Sequence, residues 1–338
     1  MASADPDGAA AATAADAGPH IFVFNGDADG LVGQHILFLE LGRPVLRVTG
    51  LKREIGLLAR LPRLTAGHIH GIDISLRRNL DALYPLLAQG NLRITWYDHH
   101  EPGEPPVHPS LVLHVNQAPE TCTGAIVNAV RGHRHPLWAA LAAFGDNLPA
   151  TASALASAGG ASAHEAQLLK RAGTLVNYNA YGEAPGDQLI PAPELAERME
   201  PFVSALDFCW EASIFGPLAA QYEADQDAFQ SLIALVDMPA AKAFVVPDAP
   251  FARRYAATWA NERALQHPNE ALAVLHAQAD GGYRISLRSP RREGAVPAAS
   301  DLAREFGGGG RKLAAGIDAL PADRLDRFAE RFGIYYGG

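Results

Sequence analysis

From His20 onward, short apolar runs alternate with stretches of helical period. HIFVFN, PVLRVTG, HIHGIDI, LRITWYD and LVLHV read as strands, and LVGQHILFLELG and LDALYPLLAQG between them read as helices. Such alternation predicts an α/β fold with a mostly parallel sheet flanked by helices. From about Thr121 to Leu235 the period turns helical, through CTGAIVNAVRG, HPLWAALAAFGD, AHEAQLLKRAGTLVNYNAYG and QDAFQSLIALV, separated by Gly- and Pro-rich breaks. After Met238 strands return in AKAFVVPD, EALAVLHAQ and GYRISLRS, with RRYAATWANERALQ and ADRLDRFAERFG as helices. The pattern predicts a first domain over residues 18–200, a helical linker over 201–238 and a smaller α/β domain over 239–338, with a cleft between the domains.

Length agrees with this division, because 338 residues exceed what one typical core organises. No apolar run reaches the roughly 18 to 20 residues of a membrane helix, so a soluble chain that avoids membranes is expected. Residues 1–17, MASADPDGAAAATAADA, are alanine-rich and acidic without a basic region. They resemble neither a secretory signal nor a transit peptide, and read as a disordered tail on a cytoplasmic protein. The two cysteines, Cys122 and Cys209, form no CxxC pair, which leaves oxygen and imidazole to carry any metal. The net charge of -9 argues against a grip on long duplex DNA. Residues 240–338 nevertheless hold 14 Lys+Arg against 11 Asp+Glu, a balance of +3 that leaves -12 elsewhere. An acidic metal-loaded lobe and a basic phosphate-reading lobe would produce that asymmetry, as would drift of surface charge.

Chemistry concentrates where strands end. Asp27 and Asp29 in NGDADG follow the first strand, where open α/β sheets place ligand crevices, and two carboxylates two residues apart can face one hard cation. Asp73 ends HIHGID, and Asp98, His99 and His100 end LRITWYDHH. Asp146 ends a helical run in FGDN. Each has an ordinary reading by itself: an Asp-Gly turn, a helix cap, an exposed His pair, a helix-terminal turn. Convergence of all of them on one crevice is harder to dismiss.

In this order the motifs NGDADG, GIDIS, YDHHEP and FGDN resemble those of the DHH phosphoesterase family. RISLRS followed by FGGGGRKLAAGI resembles the Gly-rich signature of the C-terminal DHHA1 domain found in RecJ exonucleases and nano-RNases. The likeness runs from about His20 to Ile317. It implies that the first domain is a metal-binding catalytic DHH domain and the last a DHHA1-like substrate-binding domain. It further implies a site for two divalent ions, usually manganese, with magnesium, iron or zinc as alternatives. Asp27, Asp29, Asp73, His99 and Asp146 would be ligands, with Asp73 as a bridge, and Asp98 and His100 would support them or face phosphate.

Two departures stand out. Asn25 occupies the position where the family's first motif usually has histidine, and an amide oxygen is a weaker ligand for a borderline metal, so one ion or two remain open. Arg311, beside Lys312, replaces the histidine of the Gly-rich motif. Guanidinium can hold a phosphate through two parallel hydrogen bonds but cannot shuttle a proton. Arg288, Ser289, Gly308, Gly309, Gly310, Arg311 and Lys312 are therefore expected to bind a nucleotide phosphate, with Thr123 at a helix N-terminus as a further contact.

The expected activity is hydrolysis of phosphodiester or phosphomonoester bonds by metal-activated water. The expected substrates are short single-stranded nucleic acids or small nucleotides, and a homodimer stays open. Two alternatives remain: a nucleotide-binding regulator with reduced turnover, suggested by Asn25 and Arg311, and a pyrophosphate or polyphosphate hydrolase. The latter is disfavoured because the DHH pyrophosphatases carry a different C-terminal domain.

Overall fold

Strand β1 (His20–Asn25) is buried from its second residue onward, and helix α1 (Ala28–Leu41) is buried through its first ten positions. Apolar residues on both faces of β1 suit a parallel sheet covered on both sides. The computed structural model describes residues 18–291 and 297–337, so the alanine-rich tail read at 1–17 lies outside the described residues. The chain forms two compact units, 1–218 and 219–338.

In the first unit, β1, β2 (Leu46–Gly50), β3 (Gly67–Ile72), β4 (Leu92–Asp98) and β5 (Leu111–Val115) form one sheet in the order β2-β1-β3-β4-β5. Every neighbouring pair is parallel. The direction of winding switches beside β1, and in such sheets ligands bind outside the carboxyl ends of the strands at the switch. One face buries Ile21, Val23, Ile69, Ile94 and Trp96 together with Leu76, Leu83 and Leu87 of helix α2 (Leu76–Ala88). Gly30 lets α1 start directly on β1, since a Cβ there would stand 2.2 Å from the Asn25 carbonyl oxygen. Helices α3 (Thr123–Val130), α4 (Pro136–Gly145), α5 (Pro149–Ala158), α6 (Ala163–Ala180), α7 (Ala192–Met199) and α8 (Ala205–Glu211) follow. Of these, α5, α7 and α8 were not legible as separate helices. They are short, and the period of α5 is blurred because alanine occupies both its buried and its exposed positions.

Helix α9 (Phe215–Gln230) leads into the second unit, whose strands are β6 (Ala234–Met238), β7 (Ala241–Val246), β8 (Ala271–Ala277), β9 (Tyr283–Arg288), β10 (Gly309–Gly310) and β11 (Ala314–Leu320). They form a mixed sheet in the order β10-β11-β9-β8-β7-β6, in which β7 and β8 run parallel and the other pairs antiparallel. Helices α10 (Pro250–Gln266), α11 (Ala299–Glu305) and α12 (Leu325–Gly337) complete the unit. Its core joins Ala273, Leu275, Ile285 and Leu287 of the sheet to Leu302, Phe328 and Phe332 of the helices. QDAFQSLIALV does not continue as a helix: it ends at Gln230, and Ala234–Met238 pairs with β7. A short apolar run has no period that separates helix from strand, and the antiparallel partner two residues downstream decides it here.

Candidate metal centre

The carboxylates meet at the strand ends. Asp27 caps α1, its Oδ1 accepting from the Asp29 and Gly30 amides, both at 3.1 Å. Asp29, two residues on, reaches the N-terminus of α3, where its Oδ2 accepts from Thr123 N at 2.6 Å and its Oδ1 from Gly124 N at 2.7 Å. Asp73 directly follows β3 in a left-handed conformation, with φ of 56°, and its Oδ1 accepts from the Thr123 hydroxyl at 3.0 Å. Non-glycine residues occupy that region at a cost, and such strain gathers at functional sites. Asp146 follows α4, whose end is closed by Asn147 at φ of 59° and by a Leu148 N to Ala143 O bond of 2.8 Å. This is a Schellman-type stop, which explains the Gly-Asp-Asn run.

His99 is aimed by its backbone surroundings. Its Nδ1 donates to the Thr121 carbonyl at 3.0 Å, which leaves Nε2 as the free lone pair, 3.5 Å from Asp73 Oδ1 and 3.7 Å from Asp146 Oδ2. Ligands about 2.1 Å from one ion stand roughly 3 to 3.4 Å apart, so small adjustments would seat a cation among these atoms. Two overlapping groups, Asp29–His99–Asp146 and Asp73–His99–His100, place their donor atoms within 4.8 Å of one another. The fully buried Asp98 accepts at Oδ1 from the amides of His99 and His100 and from His100 Nδ1 at 2.7 Å. Its buried Oδ2 has no hydrogen-bond donor among the described residues. That orphaned acceptor and an imidazole oriented by a carbonyl are what a metal centre of this donor type requires.

Electrostatics point the same way. Burial, reinforced by Asp27, Asp29, Asp146 and Asp98, holds the Asp73 carboxyl well above the usual range. Burial, with Asp29 and Asp27, pushes Asp146 up to about 6, against the opposing pull of Lys52 and His99. The hydrogen bond to Asp98 raises His100. Buried carboxylates this crowded call for a compensating cation.

One cation is already present, and the motifs did not disclose it. Lys52, from the loop after β2, sets its Nζ 2.5 Å from Asp27 Oδ2, 3.1 Å from Asn177 Oδ1 and 3.8 Å from Asp146 Oδ1. Burial would raise the Asp27 carboxyl, but the Lys52 ammonium more than reverses this and holds it below the usual range. Burial would likewise lower the Lys52 amine; Asp27, Tyr181 and Asp146 drive it upward instead. Asn25 joins the arrangement at both ends of its amide, Oδ1 accepting from Asp27 N at 3.2 Å and Nδ2 donating to Lys52 O at 3.0 Å. Asn179 ties α6 to the following loop through Ile190 and Leu189, whereas Asn177 reaches the site through Lys52.

The phosphate contacts expected from sequence divide sharply. Thr123 is fully buried and its donors are committed to Asp29 and Asp73, so the helix N-terminus read as a phosphate seat holds a carboxylate instead. Ser289 is also buried, its Oγ engaged with Pro297 O, Lys312 O and the Tyr336 hydroxyl, which makes it a tie between β9, α12 and the Gly-rich segment. Arg288 is half-buried and donates to Leu287 O and Asn261 Oδ1. Gly308 must be glycine, because a Cβ would lie 2.1 Å from the Gly316 oxygen. Gly309, Gly310, Arg311 and Lys312 are exposed along edge strand β10 and just beyond it. A further histidine cluster, His20, His68 and His70, sits at the opposite, amino-terminal end of β1 and β3.

No family model and no curated protein matches the sequence. Solved structures match the fold. Exonuclease RecJ bound to manganese aligns with a TM-score of 0.61 at 20% identity, covering 94% of this chain and 90% of that one. The DHH domain of a member of the s1p family of ribosomal proteins aligns at 0.59 and 14% identity, over 94% of this chain and 86% of that one. The pGpG-specific phosphodiesterase PggH from Vibrio cholerae aligns at 0.53 and 12% identity, over 94% and 99% respectively. The fold is that of the DHH phosphoesterases. Its carboxyl-end crevice carries acidic and histidine groups able to bind a metal ion.

Proposed function

We propose that this protein is a metal-dependent phosphoesterase that hydrolyses phosphodiester or phosphomonoester bonds in short single-stranded nucleic acids or small nucleotides. The observation that carries this reading is the approach of His99 Nε2 to Asp73 and Asp146 at 3.5 and 3.7 Å, beside Asp29. Asp29, Asp73, His99 and Asp146 hold the divalent ion, manganese by analogy with the RecJ structure. When bound, such an ion lowers the pKa of water and neutralises charge developing at phosphorus.

The chain's own groups supply the rest. Thr123 and the α3 amides keep Asp29 and Asp73 in place, and Thr121 keeps the His99 ring aimed. His100, polarised by Asp98 and half exposed, is placed to donate a proton to a phosphate or leaving oxygen. In the second unit, Arg311 and Lys312 beside Gly309 and Gly310 bind nucleotide phosphate, with backbone N–H groups and charge acting together. An exonuclease and a pGpG-specific phosphodiesterase are among the structural neighbours, which supports a nucleotide substrate.

Purified protein with manganese, assayed against a panel of dinucleotides, short oligonucleotides and nucleoside bisphosphates, tests the reading. Turnover of at least one member, lost in Asp73→Ala, is expected. Tight binding without hydrolysis, unchanged in Asp73→Ala, would overturn the enzymatic claim.

A further inference from the structure

The acidic crevice has two unlike halves. On one side Asp29, His99 and Asp146 bring donor atoms within 4.8 Å of one another, and Asp73 Oδ1 lies 3.5 Å from the His99 Nε2 at their centre. On the other, Asp27 belongs to neither of the donor groups around His99, and its Oδ2 is paired with the Lys52 ammonium at 2.5 Å, closer than the 3.8 Å from that ammonium to Asp146 Oδ1. Lys52 is not a surface lysine folded inward for convenience: 28% of its side chain is exposed, and its ammonium rests on Asp27 and Asn177 with the Tyr181 ring 5.5 Å away.

Asn25 completes this half. An imidazole at that position could offer a metal its lone pair, but the Asn25 amide is turned to other partners, latching the Asp27 amide on one side and the Lys52 carbonyl on the other. The residue that departs from the expected histidine thus fixes the backbone of the residue that brings the positive charge. Asn25 and Lys52 form one arrangement. Asp27, paired with a fixed monovalent cation at 2.5 Å, has little charge left to offer a divalent ion, and a second ion beside Lys52 would meet direct repulsion.

We propose that Lys52 takes the place of one metal ion: its ammonium, held by Asp27, Asn177 and the Asn25-latched backbone, leaves a centre that binds a single divalent ion on Asp29, Asp73, His99 and Asp146. This rests on the metal-centre reading above and goes further in setting its stoichiometry. The lysine provides a positive charge that needs no loading, so half of the centre's electrostatics are independent of metal supply.

Equilibrium dialysis against manganese with elemental analysis, read alongside manganese electron paramagnetic resonance, tests it without reference to turnover. The intact chain should bind one manganese, with the spectrum of an isolated ion, and His99→Ala should bind none. The double variant Asn25→His/Lys52→Ala should bind two and show the exchange-coupled spectrum of a neighbouring pair. Lys52→Met, a single replacement that guards against misfolding of the double variant, is measured as well; with the repelling charge gone, its single manganese should bind about ten-fold tighter. Two ions in the intact chain would overturn the proposal. One ion in both the intact chain and the folded double variant, or no tightening in folded Lys52→Met, would also overturn it. No ion in the intact, folded chain would instead remove the metal-centre reading on which it rests.

Discussion

The Thr123 hydroxyl donates to Asp73 Oδ1 at 3.0 Å while the Thr123 amide donates to Asp29 Oδ2 at 2.6 Å, so one buried residue ties two strand-end carboxylates to the start of α3. The spacing of these two carboxylates is thereby set by a helix that offers neither of them. Thr123→Val keeps the shape and the amide but removes the hydroxyl. Loss of such a supporting hydrogen bond typically costs about 10- to 100-fold in metal affinity, and this variant should show that loss by manganese titration while remaining folded.

Gly124 makes the same helix sensitive to packing. A Cβ there would lie 2.6 Å from Ala142 Cβ and 3.3 Å from Asp29 Oδ1. Gly124→Ala should push α3 away from α4, loosen the amide grip on Asp29, and lower both the melting temperature and manganese affinity. Overpacking of this kind costs about 1 to 3 kcal/mol. A variant with unchanged melting and manganese binding would show that the contact relaxes freely.

His35 should give the first unit an acid-sensitive component of stability. It is fully buried against Trp138, its Nε2 donates to Phe202 O at 2.8 Å, and its Nδ1 has no partner among the described residues. Burial lowers its pKa to about 4. The unfolded chain, with a histidine near 6.5, therefore takes up the proton first as pH falls. The contribution is complete above about pH 6.5 and drains away between there and pH 4, on the order of 3 kcal/mol in all. Urea unfolding across this range should show a steeper loss for the intact chain than for His35→Gln, which keeps a donor and cannot titrate.

Arg311 and Lys312 are exposed, so replacing both with alanine should leave folding and metal content intact. If they hold nucleotide phosphate, KM should rise about ten-fold or more with a smaller change in kcat, and the effect should shrink at high salt. A fall in kcat at unchanged KM would argue that they do not bind the ground-state nucleotide.

Much of this architecture was legible without coordinates. The alternation of apolar runs and helical stretches disclosed the parallel sheet, and the Asp and His residues at the ends of three of its strands marked the crevice, because side-chain period and strand direction are local properties of a sequence. The limits also lay in particular residues. Thr123 at a helix start and Ser289 beside Arg288 look like phosphate contacts because hydroxyls in such places suit anions; only packing shows that both are buried and satisfied.

Residue order alone determined the α/β class, the repeated strand-end placement of Asp27, Asp73 and Asp98, and the glycines that let the chain turn there. Tertiary structure alone decided the charge of the centre. Lys52 reaches Asp27 across 25 residues and Asn177 across 125, because β2 lies beside β1 in the sheet and α6 ends nearby, with the Ala180 carbonyl accepting from Lys52 N at 3.2 Å. No period or motif encodes such a meeting. It follows from the order in which strands are laid side by side, and that order is chosen by the burial of whole faces.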